Sequence, residues 1–413
     1  MEPPPPSQRI LIFGATGKIG TYITSAIANA SPPFARVAIY TSANTIAAKA
    51  AHVEALKARG VDVVVGELDD DDKIKETYQD FDTIISCLGR AILSHQTRLI
   101  RLAAISSPPI RRFFPSEYGT DVLHPVTPDP RAEPPHRYKL EARALLERLA
   151  SGEAGAEAEG DAVVVGKGEG GKGEKMGKSL SYTYIVTGPY AEFYVAPTGQ
   201  RGVEGGAMAW DRAGGFDVVN RRATLLTRHA DADADADADG GEEKGRSEEE
   251  RRGKGQGTDP IALTTMPDTA HFVVCALRHP AQTHNRALRC HSFTTTPSAI
   301  LSAFEAQTSG RGTSEQETSG RGTWAVKYLH LDELCERERA AYARGDAEKG
   351  LFSVRRIWTM GGSVYKGWKE GRGWDDSGEW VVRQGWTAGT LEGVVRGEIE
   401  RQMREESEGE GMV

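Results

Sequence analysis

Four consecutive apolar residues, Ile10-Leu11-Ile12-Phe13, stand near the start of the chain and read as a strand buried on both faces. A glycine-rich turn follows, and Thr21 to Ala30 continue with helix-compatible spacing. The alternation then repeats. Arg36 to Tyr40 predict a second strand, Thr45 to Arg59 a helix, and Val61 to Val65 a third strand. Asp70 to Tyr78 predict a short helix whose acidic first turn complements the helix dipole. Asp82 to Cys87 predict a fourth strand, Ala91 to Ile105 a helix, and Arg112 to Ser116 a short fifth strand. Strands alternating with helices at this pitch specify an α/β, Rossmann-type doubly wound parallel sheet. Ligands on such sheets bind outside the carboxyl ends of the strands, an edge that would carry Gly14, Thr41, Leu88, Gly89 and Ser116.

The second half is more broken. Arg137 to Ala150 predict a helix, and 151–179 turn Gly-, Glu- and Lys-rich before a strand resumes over Ser181 to Thr187. A second polar stretch, 230–257, opens with Ala-Asp alternation. Neither stretch can bury a core, and both are expected to be disordered surface insertions. Thr308-Ser-Gly-Arg-Gly-Thr313 recurs as Thr318-Ser-Gly-Arg-Gly-Thr323, which reads as a lengthened loop. Asp268 to Leu277, Ser298 to Glu305 and Asp332 to Arg344 predict helices of a smaller C-terminal α/β lobe. Trp358, Trp368, Trp374, Trp380 and Trp386 are expected to pack within that end of the chain. The expected organisation is a dinucleotide-binding domain over 8–150, an insertion over 151–179, and sheet continuation with a substrate lobe over 180–229. A second insertion over 230–257 and the rest of the lobe over 258–400 complete it.

Composition adjusts this picture only slightly. Of 413 residues, 38% are hydrophobic and 47 are glycine, as expected when polar insertions dilute an ordinary core. A net charge of −8 argues against a nucleic-acid groove or an anionic membrane surface as partner. Cys87, Cys275, Cys290 and Cys335 form no CxxC pair, so neither a zinc site nor a disulfide framework is expected. No apolar run approaches the roughly 20 residues that span a bilayer. The start, Met1-Glu-Pro-Pro-Pro-Pro-Ser7, has the pattern of neither a signal nor a transit peptide. A cytoplasmic protein is expected.

The glycine turn carries the first chemistry. In Gly14-Ala15-Thr16-Gly17-Lys18-Ile19-Gly20 the first glycine can make the tight turn, and the second lets the backbone approach a pyrophosphate. The third lets the helix pack closely on the strand, and the helix N-terminus offers N–H groups to the anion. A strand before and a helix after are the context this motif requires. After the second strand, Tyr40-Thr41-Ser42-Ala43-Asn44 holds neither an acid for a ribose 2′-OH nor an arginine for a 2′-phosphate. Thr41, Ser42 and Asn44 could bond a phosphate, with Lys49 adding charge one helical turn on. The missing acid favours NADP(H) over NAD(H).

Phe113-Phe-Pro-Ser-Glu-Tyr-Gly119, taken with the glycine motif, resembles the NmrA-like, isoflavone-reductase-like branch of the atypical short-chain dehydrogenases. The resemblance is nearest to fungal members, through Ser181 to Tyr190 and Pro135-His136-Arg137-Tyr138-Lys139. With gaps at the insertions, it runs from about residue 8 to near Leu334. It implies an NADP(H)-binding domain, a smaller substrate lobe and, in the reductases of the group, a catalytic lysine on the helix after strand five. Lys139 occupies that position. The chain departs from the pattern near Ser42, where the reductases usually carry an arginine. Ordinary short-chain dehydrogenases pair a tyrosine with a lysine four residues later, and here Pro135 stands in the tyrosine's place.

Reduction by a nicotinamide needs a proton source or polariser at the accepting atom. Lys139 can serve if a cleft desolvates it and lowers its pKa; otherwise it is one more exposed helix cation beside Arg137, Arg143 and Arg148. Ser116 and Tyr118 could reach substrate or nicotinamide, although a serine after proline also suits a turn cap. His136 is either a relay or a solvated helix-start residue. Tyr190, Phe193 and Tyr194 line an aromatic pocket or belong to a core. Two functions remain open: an NAD(P)H-dependent reductase of a small aromatic or secondary-metabolite substrate, and a non-catalytic NmrA-like regulator that senses the dinucleotide and binds a protein partner. Only the first needs a proton donor.

Overall fold

The computed structural model describes residues 8–123, 134–152, 180–197, 214–227, 257–309, 324–345, 352, 355–356, 358–359 and 386–410. Most of both polar insertions, the duplicated Thr-Ser-Gly-Arg-Gly-Thr motif beyond Ser309, and Trp368, Trp374 and Trp380 lie outside the described residues. The chain divides into two compact units.

The first unit gathers the described residues of Met1–Leu123, Thr127–Val186 and Met266–Cys290. Its strands are β1 (Arg9–Phe13), β2 (Arg36–Thr41), β3 (Asp62–Val65), β4 (Thr83–Ser86), β5 (Arg112–Phe114), β6 (Ser181–Val186) and β10 (Arg286–Arg289). They form one sheet in the order β3-β2-β1-β4-β5-β6-β10, and every pairing is parallel. The helices are α1 (Lys18–Ala28), α2 (Ala43–Ala48), α3 (Ala50–Lys57), α4 (Asp71–Tyr78), α5 (Gln96–Ala104), α6 (Pro134–Ser151), α8 (Met266–Arg278) and the short α9 (Pro280–Thr283). Alternation along β1 explains its unbroken apolar run. Leu11 and Phe13 join the core built with Ile74 and Tyr78 of α4, Leu99 and Ile100 of α5, and Leu146 of α6. Ile10 and Ile12 point to the opposite face and are equally buried, as are Ile23 and Ile27 of α1. The chain reverses its strand order between β1 and β4, where such sheets open a crevice at their carboxyl ends.

Four local expectations change. The helix expected over Thr45 to Arg59 is two helices, α2 and α3, separated by Lys49 at φ −128°, ψ 35°. The helix expected from Ala91 begins as a 3-10 turn over Arg90–His95 before α5. Strand β5 stops at Phe114 rather than Ser116, because Pro115 has no N–H to give the ladder. The helix α8, expected in the C-terminal lobe, instead packs against α1 in this unit.

The second unit holds β7 (Phe216–Asp217), β8 (Arg222–Thr227) and β12 (Ala325–His330), with β8 parallel to β12 and antiparallel to β7. An antiparallel pair, β9 (Ile261–Leu263) and β11 (Phe293–Thr295), and helices α7 (Ala191–Val195), α10 (Pro297–Thr308), α11 (Leu331–Ala343) and α12 (Leu391–Glu410) complete it. Phe216 stacks on Phe304 with ring centroids 5.0 Å apart, and Trp324 and Trp358 join the same core.

Candidate functional site

The glycine turn forms where the residue pattern put it. Phe13 ends β1 level with Tyr40 of β2 and Ser86 of β4. Gly14 then adopts φ +72°, and a Cβ there would lie 2.5 Å from the Cys87 carbonyl oxygen after β4. The Gly17 N–H donates to the Gly14 carbonyl at 3.0 Å and closes the turn. Gly17 also begins α1 without a side-chain cap, and a Cβ on it would meet the Gly14 oxygen at 3.2 Å. Gly20 is the tightest point, with its Cβ position 2.1 Å from that same oxygen. Thr16, Lys18 and Ile19 lie on the turn and first helical positions, Lys18 exposed and the other two half-buried. Leu88, buried, and Gly89, exposed, follow Cys87 on the neighbouring loop.

At the end of β2 the hydroxyls and the cation divide their work. Ser42 caps α2, its Oγ accepting from the Thr45 N–H at 3.2 Å. Thr41 closes the strand and is half-buried. Lys49, exposed at the break between α2 and α3, extends its ammonium to the Thr16 carbonyl of the glycine turn. A positive charge therefore stands on the turn itself. An uncapped helix start, glycines packed too closely for side chains and an adjacent ammonium fit the phosphates of a dinucleotide.

The loop after β5 is locked from several sides. The Ser116 N–H donates to Gln96 Oε1 at 2.6 Å, and Ser116 Oγ donates to the Leu88 carbonyl at 2.9 Å. The serine thus ties the loop after β5 to the loop after β4. Tyr118 is 7% exposed, and its hydroxyl lies by the Cys87 thiol. Burial pushes that thiol up to about 12, against the Tyr118 hydrogen bond, so Cys87 stays protonated. Lys139, half-buried on α6, donates from Nζ to the Glu117 carbonyl at 3.4 Å. Ser116, Glu117 and Lys139 are therefore brought together. His136 is buried in the first turn of α6 rather than solvated, and the Arg137 guanidinium lies 5.1 Å from the Tyr138 ring centroid.

An ion network that the sequence reading passed over surrounds this loop. Arg143 Nη2 donates to Glu117 Oε2 at 2.7 Å, and Arg143 Nη1 to Asp121 Oδ1 at 3.1 Å. Arg289, at the end of β10, donates from Nε to Asp121 Oδ2 at 2.8 Å. Burial alone would raise the Asp121 carboxyl, but Arg143 and Arg289 outweigh it and hold Asp121 below the usual carboxylate range. The available signal was spacing: Arg143 follows Lys139 by one helical turn and shares its face.

In the second unit, Tyr190 and Phe193 are half-buried and meet edge to face, with ring centroids 5.3 Å apart. Tyr194 is a core residue at 3% exposure, beside Trp358. Among the described residues no group of three or more His, Cys, Asp or Glu could hold a metal ion, and no helix is long and apolar enough to cross a membrane.

Residues 6–151 match the family model described as the NmrA-like family. This segment belongs to that family. Phenylcoumaran benzylic ether reductase 1 of Arabidopsis thaliana is 34% identical to the chain over 139 residues, 34% of this chain and 44% of that protein. The chain thus spans under half the length of this curated relative. The fold of the chain is similar to the structure of AtPrR2 with NADP+ and (+)pinoresinol, at a TM-score of 0.63 and 14% identity, covering 95% of this chain and 99% of the other. It is similar also to the leucoanthocyanidin reductase–NADPH complex from Vitis vinifera, at a TM-score of 0.60 and 17% identity, covering 95% and 99%.

Proposed function

We propose that the chain is an NADP(H)-dependent reductase that delivers a hydride to a small aromatic substrate, with Lys139 as proton donor or orienter. The observation that carries this reading is the Lys139 ammonium, held 3.4 Å from the Glu117 carbonyl on a loop that Ser116 ties to the carboxyl edge of β4. The substrate class comes from the relatives, named for reduction of phenylcoumaran benzylic ethers and, in the similar folds, found with pinoresinol or named for leucoanthocyanidin.

Gly14, Thr16, Gly17, Lys18, Ile19 and Gly20 hold the pyrophosphate on the α1 N-terminus. Thr41, Ser42 and Lys49 take the ribose phosphate, Lys49 standing in for the absent arginine. Leu88 and Gly89 border the nicotinamide end. When bound, NADPH supplies a hydride from C4 of its nicotinamide. Lys139 holds a proton for the atom that gains negative charge, directly or through one water. Ser116 fixes the loop that presents this lysine, and Tyr118 contacts the substrate. The partner is a small molecule in the cytoplasm, not a nucleic acid or a membrane.

Calorimetric titration of NADPH against NADH tests the cofactor half. NADPH is expected to bind at least tenfold more tightly, and Lys49→Ala to narrow the gap; equal affinities would remove the phosphate-binding role. NADPH oxidation with pinoresinol, an isoflavone and a para-quinone tests the other half. Lys139→Ala should lower turnover by about 10²–10⁴-fold. Tight NADPH binding without turnover across a wider aromatic panel would favour the regulator that binds a protein partner.

A further inference from the structure

Lys139 and Arg143 stand one turn apart on α6, and both reach Glu117. The lysine takes its backbone carbonyl at 3.4 Å; the arginine takes its carboxylate at 2.7 Å. A lysine head on a flexible four-carbon stem is a compact charge with rotatable donors, and its hydrogen bond to the Glu117 carbonyl is a long one. Arg143 makes shorter, forked contacts. Its second branch meets Asp121, which Arg289 of β10 grips from the other side, and its Cζ lies 4.8 Å from the centroid of the Tyr184 ring on β6. The side chains of Arg143, Glu117 and Asp121 are 3%, 0% and 4% exposed.

Such a network is a poor source of stability. Desolvating buried charges offsets most of their attraction, and replacing them by apolar side chains is often neutral. Here Glu117 Oε1 and Arg143 Nε, both buried, find no hydrogen-bond partner among the described residues, so the network is not fully satisfied. What it does supply is geometry. A planar fork joined to two carboxylates on the 117–121 loop fixes both the height and the rotation of α6 against that loop.

We propose that Arg143 is the positioning residue for Lys139. By clamping α6 to Glu117 and Asp121, it sets where the lysine ammonium stands over the carboxyl edge of the sheet. The proposal rests on the reductase reading for its purpose, but its geometry can be tested without turnover.

Full-length protein would be labelled with limiting acetic anhydride and the acetylation of each lysine read by peptide mass spectrometry, with Lys57 and Lys73 as internal references. Arg143→Lys keeps the charge and loses the fork. It should change Lys139 labelling at least threefold relative to the references, and Glu117→Gln, which keeps the shape of its partner, should move it in the same direction. Unchanged Lys139 labelling in both variants, each confirmed folded by a cooperative melt, would overturn the proposal. On the panel substrate that wild type reduces fastest, Arg143→Lys should lower kcat at least tenfold, with NADPH affinity within twofold. In a Lys139→Ala background the same substitution should leave kcat unchanged, because its effect passes through the lysine. Additive losses would assign Arg143 a merely structural role. If Lys139→Ala itself retains full turnover, the reductase mechanism fails, and the labelling result still decides the positioning.

Discussion

A methyl group on Gly20 would place its carbon 2.1 Å from the Gly14 carbonyl oxygen, inside any van der Waals contact, while the same methyl on Gly89 meets nothing within 4 Å. The two glycines therefore separate a packing requirement from a merely tolerant position. Gly20→Ala should lower stability by about 3 kcal/mol, read as a lower urea midpoint at unchanged slope. Gly89→Ala should stay within about 0.5 kcal/mol of the parent. Equal midpoints for the two variants would show that α1 can step back from β1, and the tight-packing account of Gly20 would fall. Gly20 was legible because the oxygen it packs against belongs to Gly14, within the same short turn. The tasks of Ser116 and Tyr118 were not, since the oxygen or sulfur that each hydroxyl meets is chosen by the neighbouring element. Ser116 reaches across 28 positions to Leu88, a distance at which spacing carries no information.

Elements behave differently from residues, because a helix face is legible and its partner is not. The four-residue spacing on α6 puts Lys139 and Arg143 on one face; only the folded sheet shows that Glu117, Asp121 and Arg289 meet it. Lys49 makes the converse point. Helical spacing ran straight through it, yet the backbone breaks there while its ammonium reaches Thr16. The buried network also gives this element a pH signature. Asp121 titrates below its unfolded value of about 3.9, so its contribution is fully present above that pH. It is lost as pH falls through the lower folded value. Asp121→Asn removes the anion that Arg289 Nε and one branch of Arg143 meet and should cost about 3–5 kcal/mol near neutrality. The gap between the urea midpoints of wild type and variant should therefore stay constant above about pH 5 and narrow as the pH falls below about 4. A gap that does not narrow there would show that the carboxylate charge contributes nothing.

On the scale of the whole molecule, the family segment and the folded sheet have different limits. The match covers residues 6–151, and a sequence reading sets the domain at much the same place. Yet the sheet continues into β6 and β10, and α1 is covered by α8, all of which come later in the chain. Alternating pattern shows that such elements exist; it does not tell which sheet a late strand joins. Arg112, at the head of β5, makes the dependence concrete. At 4% exposure it donates to Thr183 Oγ1 on β6, to the Ala276 carbonyl on α8 at 3.1 Å and to Thr283 Oγ1 on α9. Burial pulls its guanidinium down to about 9. Gln8 likewise donates to the Leu277 carbonyl at 2.7 Å. A chain ending at residue 152 would expose the β5 edge, strip Arg112 of these acceptors and uncover the apolar face of α1. Such a fragment should show no cooperative urea transition and should bind a hydrophobic dye, whereas the full chain should unfold cooperatively. A fragment that unfolds with the midpoint of the full chain would mean that the first 152 residues form a complete domain, and that β6, α8 and β10 only lean against it.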